Sequence, residues 1–176
     1  MTHDYRSMSC RNLILGLLVV PALACGGGKA SPPPAASSAE ATAKGGGDSP
    51  AERCLAIAEA KRERKPDEPA KITARHILVK YAGAKKAAPS VTRTREEACL
   101  RALEAREKLQ EGASFADVVA SYSEEPGAAT REGSIGTIQR TDVVPPFADA
   151  AFELGRGDVS HVVETDFGFH IIMRTE

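Results

Sequence analysis

The sequence predicts an α+β domain occupying its last hundred or so residues, behind a leader and a tether. Three observations carry this. Two apolar runs, "ARHILVKY" and "GFHIIMRT", have the composition and length of strands. Several helix-length segments between them begin on capping residues. The order strand, two or three helices, strand, helix, strand, strand gives a small and mostly antiparallel sheet.

The first 24 residues read as a signal peptide. A polar start with Arg6 and Arg11 precedes the 12-residue apolar run "LILGLLVVPALA". That run is too short to span a bilayer and suits a secretory leader. Small residues then lead to Cys25, as before a lipidated bacterial cysteine. Ala22-Leu23-Ala24 is also a site for ordinary signal cleavage, so the alternatives are an envelope lipoprotein facing the periplasm and a secreted soluble protein. Residues 25–48 are rich in Gly, Ala, Ser and Pro with almost no large apolar side chain. They cannot bury enough surface to offset ordering entropy and are expected to be a disordered tether.

Residues 49–69 are expected to form a short helix and a linker. Ser49 and Glu52 make a capping box and Pro50 fits the first turn. The basic tail "KRERK" reads as a solvated helix end, closed by Pro66 and Pro69. The domain is expected from Ala70 to Glu176. Alternation along "KITARHILVKY" puts His76, Leu78 and Lys80 on one face, and Ile77, Val79 and Tyr81 on the other. A loop follows. Thr94 and Glu97 cap a helix that stops before Gly112, and Ser114 caps the next. "SIGTIQR" reads as a strand and "PPFADAAFEL" as a helix opened by Pro146. "DVSHVVET" and "GFHIIMRT" read as a hairpin joined by "DFG".

Composition excludes several functions. The net charge of −1 gives no global attraction to nucleic acid. The chain has no Trp, so no tryptophan-built proline-peptide module and no stacking platform is expected. Of the four cysteines, Cys10 lies in the leader and Cys25 is the expected lipidation site. Cys54 and Cys99 lack C-x-x-C spacing and are expected as separate thiols, although export would permit a 54–99 disulfide. No metal is expected, since His3 and His161 bring no spaced ligand set.

The strings "RHILVK", "EGASFADVVASYSEE", "GSIG", "VPPFADAAFELGRGDVS" and "TDFGFHIIMRTE" together resemble the parvulin-type peptidyl-prolyl cis-trans isomerases, over residues 70–176. The resemblance implies a four-stranded antiparallel sheet surrounded by four helices. It implies isomerisation of X-Pro bonds in proline-containing polypeptides, by a monomer without cofactor. A non-catalytic tethered chaperone or peptide-binding domain is the alternative.

Site residues follow from the same resemblance. His76 and His170 would form a hydrogen-bonded pair under the site. Read alone, two histidines on apolar strands are more often core residues. Glu125, or its neighbour Glu124, would be the acidic group beside the substrate amide. Thr165 would bond to the region of the first-strand histidine. Ile135, Val143 and Phe147 would line the proline pocket, with Ile138 a weaker candidate. Lys80, Lys85 and Lys86 match the basic residues of the phospho-directed branch. They would hold an acidic or phosphorylated residue before proline.

Overall fold

The computed structural model describes residues 49–176. The signal peptide, tether and lipidation at Cys25 expected from the sequence lie outside the described residues. Helix α1 spans Pro50–Ala58, followed by β1 (Ile72–Val79), α2 (Arg95–Gln110) and α3 (Phe115–Tyr122). Then come β2 (Ser134–Ile138), α4 (Pro145–Glu153), β3 (Val163–Thr165) and β4 (Gly168–Arg174). Single turns of 3₁₀ helix flank β2, at Ala129–Arg131 and Arg140–Asp142. The sheet order is β2-β1-β4-β3 and every neighbouring pair is antiparallel. This is the four-stranded, four-helix α+β fold expected from the sequence.

Local chemistry sets the helix starts. Reciprocal Ser49/Glu52 and Thr94/Glu97 bonds close capping boxes on α1 and α2, and Ser114 caps α3. Each satisfies backbone N–H groups that have no partner inside the helix. Gly112 follows α2 at φ 97°, a left-handed conformation that glycine adopts without steric cost.

Alternation along β1 and β4 divides the core into two. On one face Ile77, Val79, Phe169 and Ile171 pack against α1, α2 and α3. On the other, Ile72, Ala74 and Ile172 pack under α4 with Phe147 and Phe152. His76 stands opposite Ile172, and His170 opposite Leu78, on this second face. Gly133 permits the close approach of the chain before β2. A Cβ there would come within 2.5 Å of the His76 carbonyl.

Three expectations are corrected. Cys54 and Cys99 form a disulfide, because α1 lies across α2 and buries both residues in the same core. Helix α1 stops at Ala58, and "KRERK" is not a solvated helix end. Arg62 pairs with Glu153 of α4, and the Lys65 ammonium donates to the Glu153 carbonyl at 3.0 Å. The segment therefore leaves the helix to cross to α4. The short helix expected within residues 49–69 is α1, and the irregular stretch after it runs along α4. Finally, the strand expected over "DVSHVVET" narrows to Val163–Thr165, plus an isolated bridge between Val159 and Met173. The interruption is at Ser160, whose hydroxyl oxygen accepts from Ile172 N at 2.9 Å in place of a backbone carbonyl.

Candidate active site

Strands β1 and β4 are neighbours, so two histidines 94 positions apart meet: the Nδ1 atoms of His76 and His170 are 3.1 Å apart. Both rings are buried and nearly parallel, at an interplanar angle of 14°. The pair extends at each end. His76 Nε2 lies 2.8 Å from a Glu125 carboxylate oxygen, and His170 Nε2 lies 2.8 Å from the Thr165 hydroxyl. Phe147, at the start of α4, meets both rings edge-on at centroid distances of 5.6 and 5.3 Å.

The ends of this chain determine its protons. Thr165 Oγ1 accepts from Phe167 N, and its own proton has two acceptors in reach, His170 Nε2 at 2.8 Å and the Gly168 carbonyl at 3.5 Å. Burial, with His76 beside it, lowers the His170 pKa to about 3, so the ring is neutral, and with the nearer Thr165 hydroxyl donating to Nε2 its proton is on Nδ1. That proton is donated to His76 Nδ1. The His76 proton is then on Nε2 and is donated to Glu125. The hydrogen bond from His76, aided by the Arg131 guanidinium, lowers the Glu125 pKa to about 2. Glu125 is therefore ionised, and in this arrangement all donors run one way: Thr165, His170, His76, Glu125. Arg131 donates to the same carboxylate oxygen, Oε2, that His76 Nε2 meets.

The structure separates the two candidate acids. Glu125 joins the histidines. Glu124 accepts from Lys80 N at 2.7 Å and from Arg93, clasping the start of the loop after β1. Thr165 bonds to the last-strand histidine, not to the region of the first-strand one, because β3 pairs with β4. Ile135 and Val143 are half-buried beside the α4 cluster that contains Phe147. Ile138 is buried opposite Ile72 and serves the core.

The three lysines do not share one role. Lys80 is only 6% exposed, and its ammonium donates to the Lys86 carbonyl at 2.8 Å. It props the loop. Lys85 and Lys86 stay exposed, with ammonium groups 5.1 and 5.8 Å from the centre of the Phe167 ring. Lys85 N also donates to the Asp166 carbonyl at 2.7 Å, joining this loop to the β3–β4 turn. Arg131, Arg93 and Phe167 were missed from the sequence. Arg131 and Arg93 are ordinary loop cations by composition, and Phe167 sits in what reads as a simple turn.

Among the described residues no group of three or more His, Cys, Asp or Glu is placed to hold a metal ion. No described helix is long and apolar enough to cross a membrane.

Comparison with known proteins fits this geometry. The chain is 37% identical over 103 residues to the chaperone SurA of Alkalilimnicola ehrlichii, covering 58% of this chain but 22% of that protein. It is 34% identical over 112 residues to the peptidyl-prolyl cis-trans isomerase Pin1 of Arabidopsis thaliana, covering 59% of this chain and 94% of that one. The crystal structure of the PPIase domain of TbPar42 superposes with a TM-score of 0.54 at 31% identity, over 60% of this chain and 99% of that one. The family model for the rotamase, PPIC-type PPIase domain matches residues 76–176, more than half of the chain. The chain belongs to the PPIC-type peptidyl-prolyl isomerases, the parvulins.

Proposed function

We propose that this protein catalyses cis–trans exchange of X-Pro bonds in exported polypeptides and favours an acidic residue at X. The observation that carries the reading is the fully bonded Thr165–His170–His76–Glu125 chain beneath Phe147. Membership of the parvulin family gives that chain its chemical context.

The reaction breaks no covalent bond. Amide resonance sets a barrier of about 18–20 kcal/mol, and free exchange takes tens to hundreds of seconds. A gain of roughly 10⁴-fold corresponds to about 5.5 kcal/mol. A dry seat for the ring among Phe147, Val143 and Ile135 fixes one side of the bond. Lys85 and Lys86 fix the residue before it, with Lys80 supporting their loop. Twisting localises the nitrogen lone pair and makes the carbonyl less polar. The fixed dipoles of the histidine chain and the charge of Glu125 favour that state without reorganising.

The test is kcat/KM for glutamate-proline, phosphoserine-proline and alanine-proline peptides at low and high salt. Acidic peptides should exceed alanine-proline by about tenfold at low salt, and the margin should shrink with screening. Lys85→Ala with Lys86→Ala should remove the margin and spare the alanine peptide. Equal values for all three in the unmodified protein would leave the lysines as a solvated loop. No catalysis of any peptide would favour the peptide-binding alternative. The exported setting rests on the leader and on Cys25 as a lipid anchor to the envelope membrane. Cys25→Ser should move the protein to the soluble fraction; a wild-type protein already soluble after export would favour cleavage after Ala24 without lipid.

A further inference from the structure

A cavity of about 650 Å³ lies beside the histidine chain and meets it at Thr165. Ligand clefts are typically about 300–1,000 Å³. One wall is the segment Ala58–Arg62, from the end of α1. The facing wall is Val144–Pro146 at the start of α4, and Val163–Asp166 with Tyr81 completes it. Ala58–Arg62 precede the residues matched by the family model, so this wall is an addition to the shared domain.

The added wall is fixed from several directions. The Cys54–Cys99 disulfide ties α1 to α2. Arg95 of α2 pairs with Glu59 on one wall and Glu164 on another, and Tyr81 Oη donates to Glu164 at 3.2 Å. Arg62 pairs with Glu153 of α4. These contacts span the parts of the groove and set their separation.

They also consume most of its charge. Asp149 is held by Arg140, as Glu59 and Glu164 are by Arg95. Lys61 and Asp166 alone among the charged lining residues have no hydrogen bond or ion pair to their side chains. The remaining surface is apolar, with Ala60, Pro145 and Pro146 exposed and Val144 half-exposed. A mixed trough, more apolar than polar and with one free cation and one free anion, suits neither a phosphate nor nucleic acid. It suits an extended polypeptide, which brings apolar side chains and few charges.

Two links make the groove continuous with the proline site. Thr165 lines the groove and bonds to His170. Asp166 lines the groove, and its carbonyl accepts from Lys85 N. A client whose acidic X residue lies at Lys85 and Lys86 is led past Asp166 into the groove by the residues preceding X. We infer that Ala58–Arg62, Val144–Pro146 and Val163–Asp166 form a second polypeptide-binding groove, which holds the client segment N-terminal to the isomerised bond. The direction of the segment rests on the proposed acidic preference; the groove does not.

The test compares a short Ala-Glu-Pro-Phe peptide with versions extended by four apolar residues on the N-terminal or the C-terminal side. Binding to the full oxidised chain is read by fluorescence anisotropy, and turnover is read separately. The N-terminal extension should lower Kd by about tenfold, equivalent to about 1.4 kcal/mol. The C-terminal extension should not. Ala60→Trp and Ala60→Arg, at an exposed position on the groove wall, should each abolish the gain and leave kcat/KM of the short peptide unchanged. The inference is overturned if the N-terminal extension gives no gain, or if the gain survives both substitutions. A gain confined to the C-terminal extension overturns it as well. Tight, Ala60-sensitive binding of the N-terminally extended peptide with no turnover of any peptide would uphold the groove and reject the isomerase reading.

Discussion

The two faces of the sheet are built from the same strands but differ in cover and in chemistry. Beneath α1, α2 and α3 the fully buried residues are apolar or disulfide cysteines, and the Arg95–Glu164 pair with Tyr81 sits at their rim. Beneath α4 the same strands present His76 and His170, and β3 adds Thr165. Three helices seal one face; one helix covers the other and leaves an edge for Glu125 and the loop lysines. Burying polar groups is costly unless each finds a partner. On the α4 face each histidine nitrogen has one. The difference teaches a division of labour. The thickly covered face supplies cohesion, and the thinly covered face holds a polar chain that cohesion alone would not select.

The largest effect expected from this division is on the covered face. Reducing the Cys54–Cys99 bond, or Cys54→Ser with Cys99→Ser, frees a link that spans 45 residues. Stability should fall by about 2–4 kcal/mol, read from the denaturant midpoint. Turnover of a short alanine-proline peptide by the folded fraction should hardly change. A proportionate loss of turnover would break the division, because it would mean that α1 supports the histidine chain directly.

How much of this was legible in the sequence differs between the faces. Alternation alone placed Ile77 and Val79 opposite His76, since a strand has only two sides. Both capping boxes were readable because their partners lie three residues apart. The disulfide was not, because a separation of 45 residues carries no distance until α1 is known to lie across α2. The early end of α1 was hidden for a similar reason: Arg62 and Lys65 leave the helix for Glu153, a partner about ninety residues away. For the site, the family resemblance, not composition, joined His76 to His170. Even so it set Lys80 beside Lys85 and Lys86, whereas burial turns its ammonium onto a carbonyl. Phe167, with both lysines over its ring, was unreadable because a turn residue gives no sign of what packs on it.

The second expected effect belongs to the α4 face and appears with pH. His170 has its pKa lowered to about 3 by burial, against an ordinary value of 6.5. Below pH 6.5 the unfolded chain takes up a proton that the folded one refuses. The stabilisation is thus complete above 6.5 and is lost as pH falls toward 3, at about 1.4 kcal/mol per pH unit. Between pH 7 and pH 5 the loss should be about 2 kcal/mol. Glu125, lowered to about 2 from 4.5, adds a loss of the same sign below pH 4.5. His170→Asn should flatten the slope between pH 6.5 and 5, whereas reduction of the disulfide should shift the whole curve without changing it. A wild-type stability that is level from pH 7 to 5 would show that His170 titrates normally and that the polar chain is not dry.

The smallest effect is also the most specific to the proposed proton order. Thr165→Val keeps the shape of the side chain and removes the hydroxyl that donates to His170 Nε2. The lost bond and the unpaired nitrogen should together cost about 1–2 kcal/mol. Without that donor, the proton of His170 is no longer confined to Nδ1. When it moves to Nε2, His76 must supply the proton between the two Nδ1 atoms, and its bond to Glu125 loses its hydrogen. The ¹⁵N shifts of the imidazoles should therefore show one tautomer in the wild type and a mixture in Thr165→Val. Thr165→Ser, which restores a hydroxyl, should recover the single tautomer. Turnover should fall further than stability, since the folded protein retains the residues but loses the fixed direction of their dipoles. If Thr165→Val shows the wild-type tautomers, the order of protons is set from the Glu125 end alone, and Thr165 only fills space on the thinly covered face.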